Sequence, residues 1–174
     1  LKQEDYAELM AQLYVFIQEY PETDYFPEML AWTFMQQKDY SKAMRQAKAL
    51  DKRLGENGMR VYRLAQIAAN DRDYTTAIEG YEYILANQTP GSPFYIEAKR
   101  ASLATKRRQI TDNFNYTQEQ LHALEMEYVA FIETYGVNPT TALMVSELAM
   151  LEALYINDLP KAISYLEQVA HLPG

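Results

Sequence analysis

The sequence predicts an all-α fold, a solenoid of stacked antiparallel helix hairpins with about nine helices, and three observations carry that prediction. An Asp-Tyr pair recurs as Asp5-Tyr6, Asp39-Tyr40 and Asp73-Tyr74, each pair 34 residues after the last. The register extends beyond the pair, because Leu30-Ala31 returns as Leu64-Ala65, Ala43 as Ala77 and Leu50 as Ile84. No strand-like alternation or Val/Ile-rich run competes with a helical reading. A fixed period of this length means one supersecondary unit repeated, each unit burying its apolar face against the next.

Taken in order, residues 1–23 form a half unit with a helix over 5–21, and 24–57 and 58–91 are full two-helix units. Small residues at Ala31, Ala43, Ala65 and Ala77 let neighbouring helices approach closely, while Leu30, Phe34, Leu64 and Ile84 fill the space between them. After residue 91 the strict period lapses and the helical grammar continues in two divergent hairpins, 92–136 and 137–174. Ser92-Pro93 is an N-cap and first-turn proline for a helix to about Ile110. Thr111 to Tyr116, with Asp112, Asn113 and Asn115, reads as a loop. Thr117-x-x-Gln120 is a capping box for a helix to about Tyr135, stopped by Gly136. Asn138-Pro139 opens the next helix, and Asn157-Asp158-Leu159-Pro160 turns into the last. Phe16 to Ala43 spans 27 residues, whereas the matching interval from Phe131 to Ala162 spans 31. The four extra residues are close to one α-turn, so the sequence predicts a longer first helix with its apolar face little rotated.

These units resemble the tetratricopeptide repeat, whose pattern runs Trp-x2-Leu-Gly-x2-Tyr, then Ala-x3-Phe, then Pro. In 24–57, Leu30, Ala31, Phe34 and Ala43 stand in the Leu, Gly, Tyr and Ala slots; the Trp, Phe and Pro slots hold Pro27, Ala47 and Gly55. In 58–91, Leu64, Ala65, Ala77 and Tyr81 match, with Pro90 one place late and Val61 and Ala68 in the aromatic slots. The resemblance implies a right-handed superhelix. It also makes residues 5–21 a second helix without its first, with Leu9 and Leu13 in the small and aromatic slots and Pro21 in the terminal one. Further repeats are therefore expected to flank this segment. The order of segments is similar to part of larger bacterial tetratricopeptide proteins, the stretches in question being 47–56, 62–85, 92–101 and 147–169. That likeness implies a long helical array exported to the bacterial envelope, the periplasm, with no enzymatic role.

In the resembled fold the first helix of each hairpin lines a concave groove. Residue by residue, this implies partner-binding positions at Tyr25, Glu28, Trp32 and Met35, then Met59, Tyr62, Gln66 and Ala69, then Ile96, Arg100 and Leu103. Trp32, the only tryptophan, and its aromatic neighbours are either interface anchors or ordinary interhelical packing. The clamp that grips chaperone C-termini needs Lys and Asn where this chain has Glu28 and Trp32. Binding of such tails is not expected.

Composition narrows the function classes. The net charge of −8 is unevenly spread: residues 1–37 carry −6, residues 38–108 carry +6 and residues 109–174 carry −8. The basic stretch has one stripe at Lys38, Lys42, Arg45 and Lys52 and a cluster at Lys99, Arg100, Lys106, Arg107 and Arg108. These are either a surface for an anionic partner or a set of solvated faces. An acidic pI near 4.8 and the absence of a recognised motif argue against nucleic acid. No run approaches a membrane span, and the chain has no cysteine for thiolate, disulfide or zinc-thiolate chemistry.

The search for chemistry returns little. His122 and His171 have no companion at metal-ligand spacing, and no phosphate loop or nucleophile elbow is present. Glu125/Glu127 and Glu147/Glu152 read as polar helix faces. No catalytic residue, cofactor or metal is expected. The sequence therefore predicts a non-enzymatic scaffold that binds a protein or peptide. The alternative is an architectural spacer within a longer chain, with no ligand of its own.

Overall fold

The computed structural model describes residues 3–114 and 116–172, with the side chains of Gln3 and Asn113 left aside. Among these residues the fold is all-α, with nine α-helices and no strand. The helices are α1 (Gln3–Glu19), α2 (Tyr25–Gln36), α3 (Tyr40–Leu54), α4 (Met59–Asn70), α5 (Tyr74–Asn87), α6 (Tyr95–Asn113), α7 (Gln118–Tyr135), α8 (Ala142–Leu151) and α9 (Leu159–Ala170). The chain divides within α6 into two compact units, Leu1–Ser102 and Leu103–Gly174.

In the first unit each helix from α1 to α5 packs against the next. The 34-residue spacing is visible in backbone detail. Asp39 and Asp73 cap α3 and α5, accepting the Lys42 and Thr76 N–H groups at 3.1 Å each. Each cap follows a residue with positive φ, Lys38 at 57° and Arg72 at 67°. The Asp39 and Asp73 N–H groups donate to the carbonyls of Phe34 and Ala68, both at 2.9 Å. An aspartate suits this place because its side chain satisfies an orphan N–H at the start of the following helix.

The small-residue slots are interior: Ala31, Ala43, Ala65 and Ala77 are all buried, as are Leu30, Phe34, Leu64 and Ile84. A closer approach occurs at Gly80 in α5, where a Cβ would lie 2.6 Å from Met44 Cε and 2.9 Å from Ala65 Cβ. Asp51, buried near the end of α3, accepts the Gly58 N–H at 2.7 Å and the Tyr83 hydroxyl at 3.0 Å. Burial, together with Asp51, pushes the Tyr83 hydroxyl up to about 12. Gly58 opens α4 at φ 87°, a conformation costly for a residue with a side chain.

The second unit is built on Leu103, Leu121, Leu124, Tyr128, Phe131, Met144, Leu148 and Leu151. Thr117 and Gln120 form the expected capping box of α7, and Gly136 ends that helix at φ 75°. Asp158 caps α9 behind Asn157 at φ 66°, accepting the Lys161 N–H at 3.1 Å. The aspartate cap behind a positive-φ residue repeats the pattern at Asp39 and Asp73.

Several boundaries differ from the sequence expectation. Helix α1 starts and ends two residues earlier than 5–21, with Pro21 in a turn. Ser92-Pro93 belongs to the turn before α6, which starts at Tyr95: the Tyr95 N–H bonds the Ser92 carbonyl, and the Ser92 hydroxyl accepts the Thr89 N–H. Helix α6 then runs through Asp112 and Asn113 before Phe114 turns at φ 48°; Asn115 lies outside the described residues. Asn138-Pro139 is likewise a turn. Thr141 accepts the Asn138 N–H and donates to the Gly136 carbonyl, so α8 begins at Ala142.

The extra length of the last hairpin is not another regular α-turn, because Glu152–Ile156 continues α8 as a π-helix. The Asp158 N–H returns to the Glu152 carbonyl at 3.0 Å, an interval one residue longer than at Asp39 and Asp73. A π-turn absorbs a residue that an α-helix would pass on as rotation of everything beyond it.

Candidate binding groove

Two hollows open on the first unit, and α2 forms a wall of both. One, of about 580 Å³, is bounded by Leu9 of α1 and by Tyr25, Glu28, Met29 and Trp32 of α2. The other, of about 350 Å³, lies between α2 and α4 with Ala47 of α3 at its edge. Glu28 and Trp32 belong to both. Positions 25, 28, 32 and 35 share one face of a helix, which is why α2 presents Tyr25, Glu28, Trp32 and Met35 together. Trp32 is 49% exposed, although its neighbours Leu30, Ala31, Thr33 and Phe34 are buried.

Of the positions that the sequence put forward, Tyr25, Glu28, Trp32, Met35 and Met59 line these hollows. Tyr62, Gln66 and Arg100 do not. The Tyr62 ring stands 5.8 Å from Tyr81 and 5.6 Å from Phe94, and its hydroxyl accepts from Gln66 at 3.2 Å. Burial raises the Tyr62 hydroxyl above the ordinary tyrosine range, helped by Glu97. Arg100 is paired with Glu97 at 3.2 Å. Of the remaining positions, Ala69 and Leu103 are buried and Ile96 is exposed.

The α4 side of the second hollow is instead built from Arg60, Arg63, Leu64 and Ile67, with Glu56 just before the helix. Arg60 is fixed there by three contacts. Its Nε and Nη2 donate to the two Glu56 oxygens at 2.8 Å each, and Nη2 also reaches Glu28 Oε1 at 2.8 Å. The Glu56 hydrogen bond raises the guanidinium above its ordinary value against the opposing effect of burial, and Glu28 adds to it. Glu28 is therefore no free acid. Arg63, on the same wall, is exposed and has no hydrogen-bond or ion-pair partner among the described residues. The spacing of Arg60, Arg63 and Ile67 marks one helix face and was the available sequence signal.

The second unit overturns the reading of Glu147 and Glu152 as a polar face. Glu147 is 7% exposed and Glu152 is fully buried. Glu147 takes Arg107 Nη2 at 3.1 Å on one oxygen and the Tyr128 hydroxyl at 2.9 Å on the other. Tyr128 is raised by burial and by Glu147, and Arg107 is raised by Glu147 in spite of burial. Arg107 Nε stays buried without a hydrogen bond. Lys106 pairs with Glu127 at 2.9 Å. The basic cluster is thus neither an open anion surface nor a fully solvated face, because Arg100, Lys106 and Arg107 have acidic partners.

Lys161 bridges Glu125 of α7 and Glu152 of the π-turn, with its Nζ 2.9 Å from Glu152 Oε1 and in a short contact with Glu125. Exposed His122 adds a 2.9 Å contact to Glu125. The Lys161 contact to Glu152 is an ion pair outside hydrogen-bond geometry, and the second Glu152 oxygen has no hydrogen-bond partner among the described residues. Burial pushes the Glu152 carboxyl above the usual range, opposed by Lys161 and reinforced by Glu125. For Glu125 burial acts upward too, but hydrogen bonds from Lys161 and His122 bring it below the ordinary value.

Because Glu152 binds its proton more tightly when folded, its stabilising contribution is complete below the unfolded carboxyl value and is lost as pH rises through the folded one. Glu125 has the opposite sign, its contribution being lost as pH falls. Glu152→Gln is therefore expected to gain stability relative to the parent between pH 4 and pH 7, measured as the shift in urea midpoint. A midpoint difference that stays constant with pH would show that folding leaves the Glu152 carboxyl unshifted.

Among the described residues no helix is long and apolar enough to cross a membrane, and no group of three or more His, Asp or Glu side chains is arranged to hold a metal ion. Neither a protein-family model nor a curated protein matches the chain.

Proposed function

We propose that this chain is a non-enzymatic interaction scaffold of the tetratricopeptide-like kind, a right-handed helical solenoid whose first unit holds a peptide or protein segment in the groove around Trp32. The observation that carries this reading is the α2 face: Tyr25, Glu28, Trp32 and Met35 line two adjoining hollows on one wall. Supporting it, α2 and α4 start 34 residues apart, as do α3 and α5, with equivalent aspartate caps. Hollows of a few hundred Å³ with apolar walls and few polar groups are typical of binding sites, and a half-exposed tryptophan beside methionines is a common interface anchor.

The test is selection of a random-peptide library on the immobilised chain, followed by titration of the selected peptides. Trp32 is the only tryptophan, so its emission is a built-in reporter of groove occupancy. Selected peptides are expected to shift that emission to the blue and to be lost by Trp32→Ala. Equal capture by the variant, or no enrichment at all, would refute the groove reading.

A further inference from the structure

The charges around the α2–α4 hollow are unequally committed. Glu28, Glu56 and Arg60 are tied together through three hydrogen bonds of 2.8 Å, which engage the Arg60 guanidinium, both Glu56 oxygens and one Glu28 oxygen, so a ligand gains little from these atoms without breaking charge-assisted contacts. Arg63 is the exception. It lines the same hollow, is exposed, and keeps all five guanidinium donors unengaged among the described residues. Beside it the wall is apolar, formed by Trp32, Met35, Met59, Leu64 and Ile67. An extended chain laid in this hollow meets an apolar surface and, next to it, one cation with no counter-ion.

We infer that the occupant of the groove is a peptide segment carrying a carboxylate next to a bulky apolar side chain. The apolar side chain fills the 350 Å³ hollow against Trp32 and Met35, and the carboxylate takes Arg63 in a bidentate fork. This rests on the peptide-binding reading above. A basic peptide is disfavoured because Arg63 has its own sign and Arg60 already occupies both oxygens of Glu56 and one of Glu28. A wholly apolar segment would fill the hollow and leave the Arg63 donors to solvent. The acid thus supplies selectivity, and the apolar side chain supplies most of the contact.

The experiment reads the composition of the selected peptides, with parallel selections on Arg63→Gln and Arg63→Lys. Arg63 is exposed, so unchanged circular dichroism is expected for both variants. The parent should enrich sequences in which Asp or Glu adjoins Leu, Ile, Phe or Met. The Arg63→Gln selection should lose the acid and keep the apolar residue. For one selected peptide, changing the acid to its amide should weaken binding by about tenfold on the parent and hardly at all on Arg63→Gln. Arg63→Lys should recover part of the difference, because a lysine keeps the charge without the planar fork. Selected peptides that depend on Trp32 but carry no acid, or carry Lys or Arg instead, overturn this inference and leave the groove reading standing. Peptides that bind independently of Trp32 overturn both.

Discussion

Glu147→Ala is expected to destabilise the second unit by about 3–5 kcal/mol, the range for removing one partner of a buried ion pair. Two groups lose their counterpart in that variant. Arg107, three-quarters covered, is left charged beside an empty site, and the buried Tyr128 hydroxyl loses its acceptor. The cost is one of stranding and not the net worth of the network. Two further variants separate these quantities. Tyr128→Phe should cost less, about 1.5–3 kcal/mol, since it removes one hydrogen bond to a charged acceptor and leaves that Glu147 oxygen without a donor. Replacing Arg107, Tyr128 and Glu147 together by Met, Phe and Leu should be close to neutral, because no buried charge is then left alone. If the triple replacement costs as much as Glu147→Ala, the ion pair itself stabilises the fold and the stranding account fails. Urea titration followed by circular dichroism provides the measurement.

Enlarging the close contact between α4 and α5 should have the next largest effect. Gly80→Leu and Ala65→Leu are each expected to cost about 1–3 kcal/mol, the usual price of overpacking. Gly80→Leu belongs at the upper end. Its Cβ alone would lie 2.9 Å from the Ala65 methyl carbon, which has no rotamer by which to withdraw, whereas Met44 can swing aside. Even Gly80→Ala sets that clash against the gain of about 1 kcal/mol that alanine brings to a helix. The two enlargements share one contact, so their sum should not be additive. Lys42→Ala is the control: half-exposed, it contacts Asp39 at 2.5 Å one turn away, and its loss should stay within about 0.5 kcal/mol. Equal losses at Lys42 and Ala65 would show that interior and surface faces had been confused.

The helices of the first unit were legible because their period is kept by residues with local roles. Asp39 and Asp73 cap, and Ala31, Ala43, Ala65 and Ala77 sit where helices touch; local chemistry and burial therefore agree. The groove was half legible. On α2 the positions carried over from the resembled family line the hollows, but on α4 the hollow-facing side runs through Arg60, Arg63 and Ile67. One residue of helix is about 100° of rotation, so an offset of one selects a different wall. The second unit resisted reading for another reason. Glu147 and Glu152 resemble surface residues in composition, and their partners Arg107 and Lys161 stand on other helices, beyond the three- and four-residue spacings of a helix face. The signal was present in Ala142–Leu151, which is apolar on nearly every side. Such a helix is mostly buried, here all but the side that carries Leu143 and Met150, so a lone carboxylate on its inner side requires an internal partner. Nothing in the local sequence marks the π-turn that follows.

Asp51 has a consequence for how the first unit opens. One carboxylate at the end of α3 holds both the backbone entry to α4 and a hydroxyl on α5, so none of the three helices can fray without exposing that charge's unmet bonds. Amide exchange in α3, α4 and α5 should accordingly report a single opening free energy, shared by the block and not graded from helix to helix. Asp51→Ala should split it into separate values. The carboxylate then acts as a coupling between neighbouring helix pairs, converting a row of local stabilities into one cooperative event.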